Sequence, residues 1–175
     1  MKTKITTLLT ALILLSITSF GQAAFKEYKA GHVFSISLPD YMTKTTGLND
    51  VATIQYKNAV KDVYGFVIID TKEELKMIEM TYSSINEFYD DFIKDFVPEE
   101  KNRVVSPAKY KKIGTTNFAE ADLTYYDSEA KADIYYLIGV VETKDVFYKV
   151  MSWTTADNKA KFKADFQKIL YSIKD

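Results

Sequence analysis

The stretch Asp133-Ile134-Tyr135-Tyr136-Leu137-Ile138-Gly139-Val140-Val141-Glu142-Thr143-Lys144-Asp145-Val146-Phe147-Tyr148-Lys149-Val150-Met151-Ser152-Trp153 decides the fold. β-Branched and aromatic side chains dominate two runs, Asp133 to Glu142 and Val146 to Trp153, with the polar Lys144-Asp145 between them. That is the composition of two strands joined as a hairpin. From Leu137 to Val141 every position is apolar, not every second one. Successive strand side chains point to opposite faces, so the run predicts a strand covered on both sides.

Upstream, Phe118 to Tyr126 and Lys109 to Ile113 read as further strands, punctuated by Asp127-Ser128 and Gly114. Phe66-Val67-Ile68-Ile69, inside a predicted strand Tyr64 to Ile69, is again apolar on both faces and predicts a central strand. Val51 to Tyr56 is its partner, joined through Lys57-Asn58. The first element is a hairpin of Phe25 to Lys29 and His32 to Leu38, turning at Ala30-Gly31, where glycine supplies the positive φ. Phe34, Ile36 and Leu38 share one face, and Pro39-Asp40 stops the strand. The stretch around Gly47 reads as irregular.

Two helices interrupt and close this series of strands. Ser84 and Glu87 form a capping box at the start of Ser84 to Phe96, and Ile85, Phe88, Tyr89, Phe92, Ile93 and Phe96 make one apolar stripe. Asp90, Asp91, Lys94 and Asp95 occupy the opposite face, and Pro98 ends the helix. The terminal helix runs from Ala156 to Ile173 with Thr155 or Asp157 as N-cap, its stripe being Phe162, Phe166, Ile169, Leu170 and Ile173. Thr71 to Met80 is ambiguous between a short helix and none. Hairpin strands with one helix midway and one at the end make an α+β fold, an antiparallel sheet covered by helices.

With these elements placed, a resemblance emerges. Phe34-Ser35-Ile36-Ser37-Leu38-Pro39 resembles the opening of the PsbP-like domain. Tyr136 to Val141, Phe147-Tyr148-Lys149-Val150, Ser152-Trp153-Thr154 and the ending Ile169-Leu170-Tyr171-Ser172-Ile173 follow that family in order and spacing. The resemblance spans nearly all of the chain after its N-terminal segment. It implies an α/β/α sandwich around a central antiparallel sheet, and a non-enzymatic binding or assembly role. Plant members have been linked to metal through histidines; His32 is the sole histidine here, so no such site carries over.

The N-terminus predicts export. Met1-Lys2-Thr3-Lys4 is basic, an apolar run rich in leucine follows, and no charge appears before Lys26. This is the order of a signal peptide, assigned to residues 1–23. Cleavage after Ala23, or alternatively after Gly21, leaves 24–175 as a single domain of about 150 residues. The apolar run of about a dozen residues is short of the roughly 20 that a membrane span needs, so no stable membrane anchor is expected. There is no cysteine, which excludes bacterial lipoprotein acylation and any disulfide framework. Losing Lys2 and Lys4 leaves 21 basic against 24 acidic side chains, a formal charge of −3. That balance argues against nucleic acid as a partner. A monomer in the periplasm or outside the cell is the expectation.

Few residues suggest chemistry. His32 sits at a hairpin turn with no nucleophile motif in the chain, and it reads as an ordinary exposed residue. Asp90, Asp91, Asp95, Glu99 and Glu100 read as a solvated face, without the spacing of a calcium loop. Glu120 and Asp122 share a strand face and would make a glycosidase-like pair only if Asp133 or Glu142 approached across a hairpin. Lys109, Lys111, Lys112 and Arg103 are either edge-strand protection or a docking patch for an acidic partner. Tyr125-Tyr126 and Tyr135-Tyr136, on neighbouring strands, are either core or a binding platform. No cofactor is expected. The leading reading is an exported non-enzymatic binding or assembly protein with an unidentified protein partner. The alternative is a carrier of a small apolar or aromatic ligand between sheet and helix; a carboxylate-based hydrolase is remote.

Overall fold

A computed structural model describes residues 23–31 and 33–175. The signal-peptide reading and its cleavage sites lie outside the described residues apart from Ala23, and so does His32.

Ten strands and three α-helices follow one another in the described chain. Strands β1 (Phe25–Ala30) and β2 (Phe34–Pro39) form a separate two-stranded antiparallel ribbon. The main sheet holds β3 (Thr43–Thr45), β4 (Ile54–Asn58), β5 (Val63–Thr71), β6 (Lys101–Val105), β7 (Lys109–Ile113), β8 (Thr116–Asp127), β9 (Ala132–Glu142) and β10 (Val146–Thr155). Its order is β3-β4-β5-β10-β9-β8-β6, with β7 also pairing β8, and all pairings are antiparallel. β6 and β7 divide the outer edge of β8 between them. Helices α1 (Lys72–Met77) and α2 (Ile85–Asp95) come between β5 and β6, and α3 (Lys159–Tyr171) follows β10. The fold is α+β, a mostly antiparallel sheet with a few helices, as the strand and helix patterns predict.

The doubly apolar runs explain the two cores. On β9, Tyr135, Leu137 and Val141 join one hydrophobic cluster, while Ile134, Tyr136, Ile138 and Val140 join the other. β5 divides in the same way, Val67 to the first and Phe66 to the second. The first cluster contains the α3 stripe together with Phe34, Ile36 and Leu38 of the ribbon. The second contains Ile85, Phe88 and Tyr89 of α2 and Leu75 of α1.

Several boundaries differ from the sequence reading. Lys57 and Asn58 belong to β4, and the chain turns at Ala59–Asp62, with Asp62 in the left-handed region at φ +54°. β3 and β6 were not anticipated: each is short, and neither alternates in a way that marks a buried face. The segment Thr71 to Met80 resolves into α1, whose cap is Thr71; its Oγ1 accepts from the Glu74 amide at 3.1 Å. Neither Thr155 nor Asp157 caps α3 with a side chain. A 3₁₀ turn, Ala156–Asn158, leads into it, and the Thr155 Oγ1 accepts instead from Asn158 Nδ2 at 2.9 Å.

Candidate functional site

The face under α3 is closed. Glycine makes this possible at two strand positions: a Cβ on Gly139 would lie 2.3 Å from Leu170 Cδ1, and one on Gly65 would lie 2.3 Å from the Tyr56 ring and 2.7 Å from the Met151 carbonyl oxygen. The ribbon is clasped to the end of α3. The Ser35 amide donates to the Lys174 carbonyl at 2.7 Å, and the Ser37 amide to Ser172 Oγ at 2.8 Å.

The carboxylates singled out on β8 lie on this closed face, and both are consumed there. Glu120, buried, accepts from Gln167 Nε2 at 2.8 Å and from the Tyr171 hydroxyl at 3.1 Å. Asp122 receives Lys163 Nζ at 2.7 Å, Lys159 Nζ at 3.0 Å and the Tyr135 hydroxyl at 2.8 Å. Burial by itself pushes the Asp122 carboxyl up, but the hydrogen bonds from Lys163, Lys159 and Tyr135 together hold it below its ordinary 3.8. Burial, with the Asp122 carboxylate beside it, pushes the Tyr135 hydroxyl well above the usual tyrosine range. This polar cluster fastens α3 to the sheet. Neither anticipated carboxylate partner joins it. Glu142 falls on the register of the other sheet face, bound to Lys72 at 2.8 Å. Asp133 pairs with Tyr126, four residues along β8 from Asp122, roughly 13 Å at strand rise.

The tyrosine pairs divide between the two faces. Tyr135 goes to the closed face, and Tyr125 and Tyr136 are buried on the other; Tyr126, paired with Asp133, is half-buried. Tyr125 and Tyr136 belong to a ladder across four strands, in which Tyr125–Tyr136, Tyr136–Trp153 and Trp153–Tyr64 stack at 6.0, 5.3 and 5.4 Å between centroids. Cross-strand aromatic pairs of this kind stabilise a sheet. Trp153 and Tyr64 were missed as members, because only the register sets Trp153 opposite Tyr136 and Tyr64 opposite Trp153.

The basic residues also separate. Lys109 and Lys111 are exposed on the edge strand β7, and Lys111 Nζ sits 4.9 Å above the Tyr171 ring. Arg103 is instead a helix cap: its guanidinium donates to the Ile93 and Phe96 carbonyls at 2.6 and 3.2 Å, closing the C-terminus of α2. Among the described residues no group of three histidine or carboxylate side chains converges as a metal site would.

The second sheet face is only partly covered. α2 packs chiefly on β8 and β9, and α1 on β5. Between the two helices, above β10, lies an open cleft of about 360 Å³. Phe88 and Phe92 of α2, with Phe96 just past its end, wall one side, and Leu75, Ile78 and Met80 line the other. Phe88 is held by a parallel stack on Phe147 of β10, 4.1 Å between centroids. The floor carries an ion pair, Lys149 Nζ to Asp70 Oδ2 at 2.8 Å. Asp91 accepts from the Tyr82 hydroxyl at 2.6 Å; burial, then that carboxylate, pushes the Tyr82 hydroxyl up to about 12. The rim is apolar and exposed: Ile78 is 65% and Met80 39% exposed.

Both helices walling the cleft end in strained backbone. Glu79, after α1, has φ +61°, and Val97, after α2, has φ +49°. A left-handed conformation is costly for a glutamate and more so for a β-branched valine. Glu79 lies between the lining residues Ile78 and Met80, and Val97 follows the lining residue Phe96.

No protein-family model matches the chain, and no curated protein matches it. Solved structures do. Cyanobacterial PsbP (CyanoP) from Synechocystis superposes with a TM-score of 0.61 at 12% identity, covering 91% of this chain and 96% of its own. LpqN of Mycobacterium tuberculosis, described as involved in cell envelope biogenesis, gives 0.59 at 8% identity, covering 89% and 93%. The chain therefore has the PsbP-like fold that its sequence resembles.

Proposed function

We propose that this is an exported, non-enzymatic accessory protein, monomeric by itself, that holds a protein partner in the cleft between α1 and α2. In this reading the mature chain is one domain, an α/β/α sandwich whose α3 side is structural and whose α1–α2 side is the working surface. The observation that carries it is the cleft itself: about 360 Å³ of aromatic-walled space continuing outward into the exposed Ile78 and Met80. Exposed apolar surface beside a groove is costly to maintain and marks interaction sites. That a protein involved in cell envelope biogenesis has the same fold is compatible with an accessory role outside the cytoplasm.

A second reading, a carrier of a small apolar or aromatic ligand, is favoured by the volume alone, which falls in the range of small-molecule sites. The open rim favours the protein partner, since a small ligand would leave the exposed Ile78 and Met80 uncovered. The experiment is crosslinking of the tagged mature protein in its native envelope, followed by mass spectrometry, for wild type and Ile78→Asp. One stoichiometric partner that is lost in the variant supports the proposal. A partner retained by Ile78→Asp removes it, and native mass spectrometry showing a bound small molecule transfers the cleft to the second reading.

A further inference from the structure

The cleft is aromatic but also negatively charged. Its charged lining residues are Asp70, Asp91, Asp95 and Lys149. Lys149 is committed to Asp70, which leaves the other two carboxylates uncompensated. The ion pairs among the described residues are Lys72–Glu142, Lys149–Asp70, Lys159–Asp122, Lys163–Asp122 and Lys168–Asp165; none involves Asp91 or Asp95. The two lie at i and i+4 on α2, on one side of the helix, with Phe92 between them in the chain. Asp91 Oδ2 accepts the Tyr82 hydroxyl, and Oδ1 accepts no hydrogen bond from the described residues. The aromatic walls already attract a cation: Lys149 Nζ is 5.7 Å from the Phe92 ring centroid.

We propose that the cleft receives an extended segment of the partner protein that places an arginine or lysine beside a bulky apolar residue. This rests on the cleft being the partner site, and it names the chemistry the site selects. The cationic head lies between Asp91 and Asp95 over Phe92, combining charge-assisted hydrogen bonds with a cation–π contact. The neighbouring apolar side chain covers Ile78 and Met80. An acidic residue at the same place would meet two like charges across a short distance, which is the repulsive half of specificity.

The test uses three synthetic peptides, Ac-Gly-Leu-Arg-Phe-Gly-amide and its versions with glutamate or norleucine in place of arginine. Each is titrated into the isotope-labelled mature protein and followed by NMR. The arginine peptide is expected to shift resonances of Ile78 and Phe92, with the norleucine peptide at least tenfold weaker and the glutamate peptide silent. Asp91→Asn/Asp95→Asn is expected to lose at least tenfold for the arginine peptide and nothing for norleucine. Asp95→Asn alone, at an exposed residue, gives a smaller loss in the same direction and guards against a folding artefact. Equal binding of the arginine and norleucine peptides, or binding of none, overturns this inference. The partner reading falls separately, if capture of the partner survives Ile78→Asp.

Discussion

The two faces of one sheet are finished differently. Under α3, thirteen helical residues lie against β9 and β10, glycines admit the Leu170 and Tyr56 side chains, and the β8 carboxylates meet lysines, a glutamine and tyrosines. Under α1 and α2, two shorter helices of six and eleven residues stand apart over β5 and over β8–β9. The space above β10 stays open, and two carboxylates lining it have no basic partner among the described residues. The strands supply apolar side chains to both sides. What differs is whether the covering layer is long enough to close, and the lesson is that satisfied polar groups mark scaffold whereas unsatisfied ones beside an apolar gap mark a site.

Breaking the closed face should cost stability, and breaking the open face should cost binding. The largest effect is expected from Phe166→Ala. Phe166 is wholly buried, and its loss should cost about 3–5 kcal/mol, against about 1 kcal/mol for the half-buried Phe92→Ala, both read from urea unfolding. Comparable losses from the two would erase the distinction.

Next comes Gly65→Ala, whose Cβ must displace the Tyr56 ring and press on a backbone carbonyl. Overpacking there should cost about 1–3 kcal/mol. A midpoint unchanged from wild type would mean the face is looser than described.

Asp122→Asn should cost about 1–2 kcal/mol by leaving Lys159 and Lys163 without their anion. It should also change the acid limb. Asp122 has its folded pKa depressed below 3.8, so its contribution is present above the unfolded value and is lost as pH falls through the folded one. Thermal unfolding of the variant should therefore lose less stability than wild type as the pH falls below 3.8. An identical acid slope for both proteins would show that Asp122 is not fastening α3.

The smallest effect is expected at the rim of the cleft. Glu79→Gly relieves a left-handed glutamate and should raise stability by up to about 1 kcal/mol. A loss there would show that the Glu79 conformation is not strained.

How much of this was legible follows from what sequence patterns encode. Leu137 to Val141 and Phe66 to Ile69 declared two-sided burial because apolar side chains at consecutive positions have no other use. The α2 stripe and the Ser84 capping box declared that helix, and the Ser84 Oγ does accept from the Glu87 amide, at 3.4 Å. Helix α1 was half-hidden, although Thr71-Lys72-Glu73-Glu74 carries a cap signal of the same kind. β3 and β6 left no trace, because short edge strands pair through the backbone alone. Glu120 and Asp122 were rightly read as sharing a face, but apart from Tyr135 on β9 their partners come from α3, more than 35 residues away in the chain. The cleft could not be read at all. Asp91 and Asp95 looked like an ordinary solvated face, and only the separation of α1 from α2 turns them toward a gap.

The most direct test of the account places a photo-crosslinking phenylalanine analogue at Ile78, and in a second protein at Lys111 on the exposed edge strand. Each is irradiated in the native envelope. A discrete adduct is expected from position 78, absent when Asp91 and Asp95 are both changed to asparagine, and none from position 111. An adduct from position 111 with none from position 78 would contradict it, moving the working surface to the lysine-bearing edge.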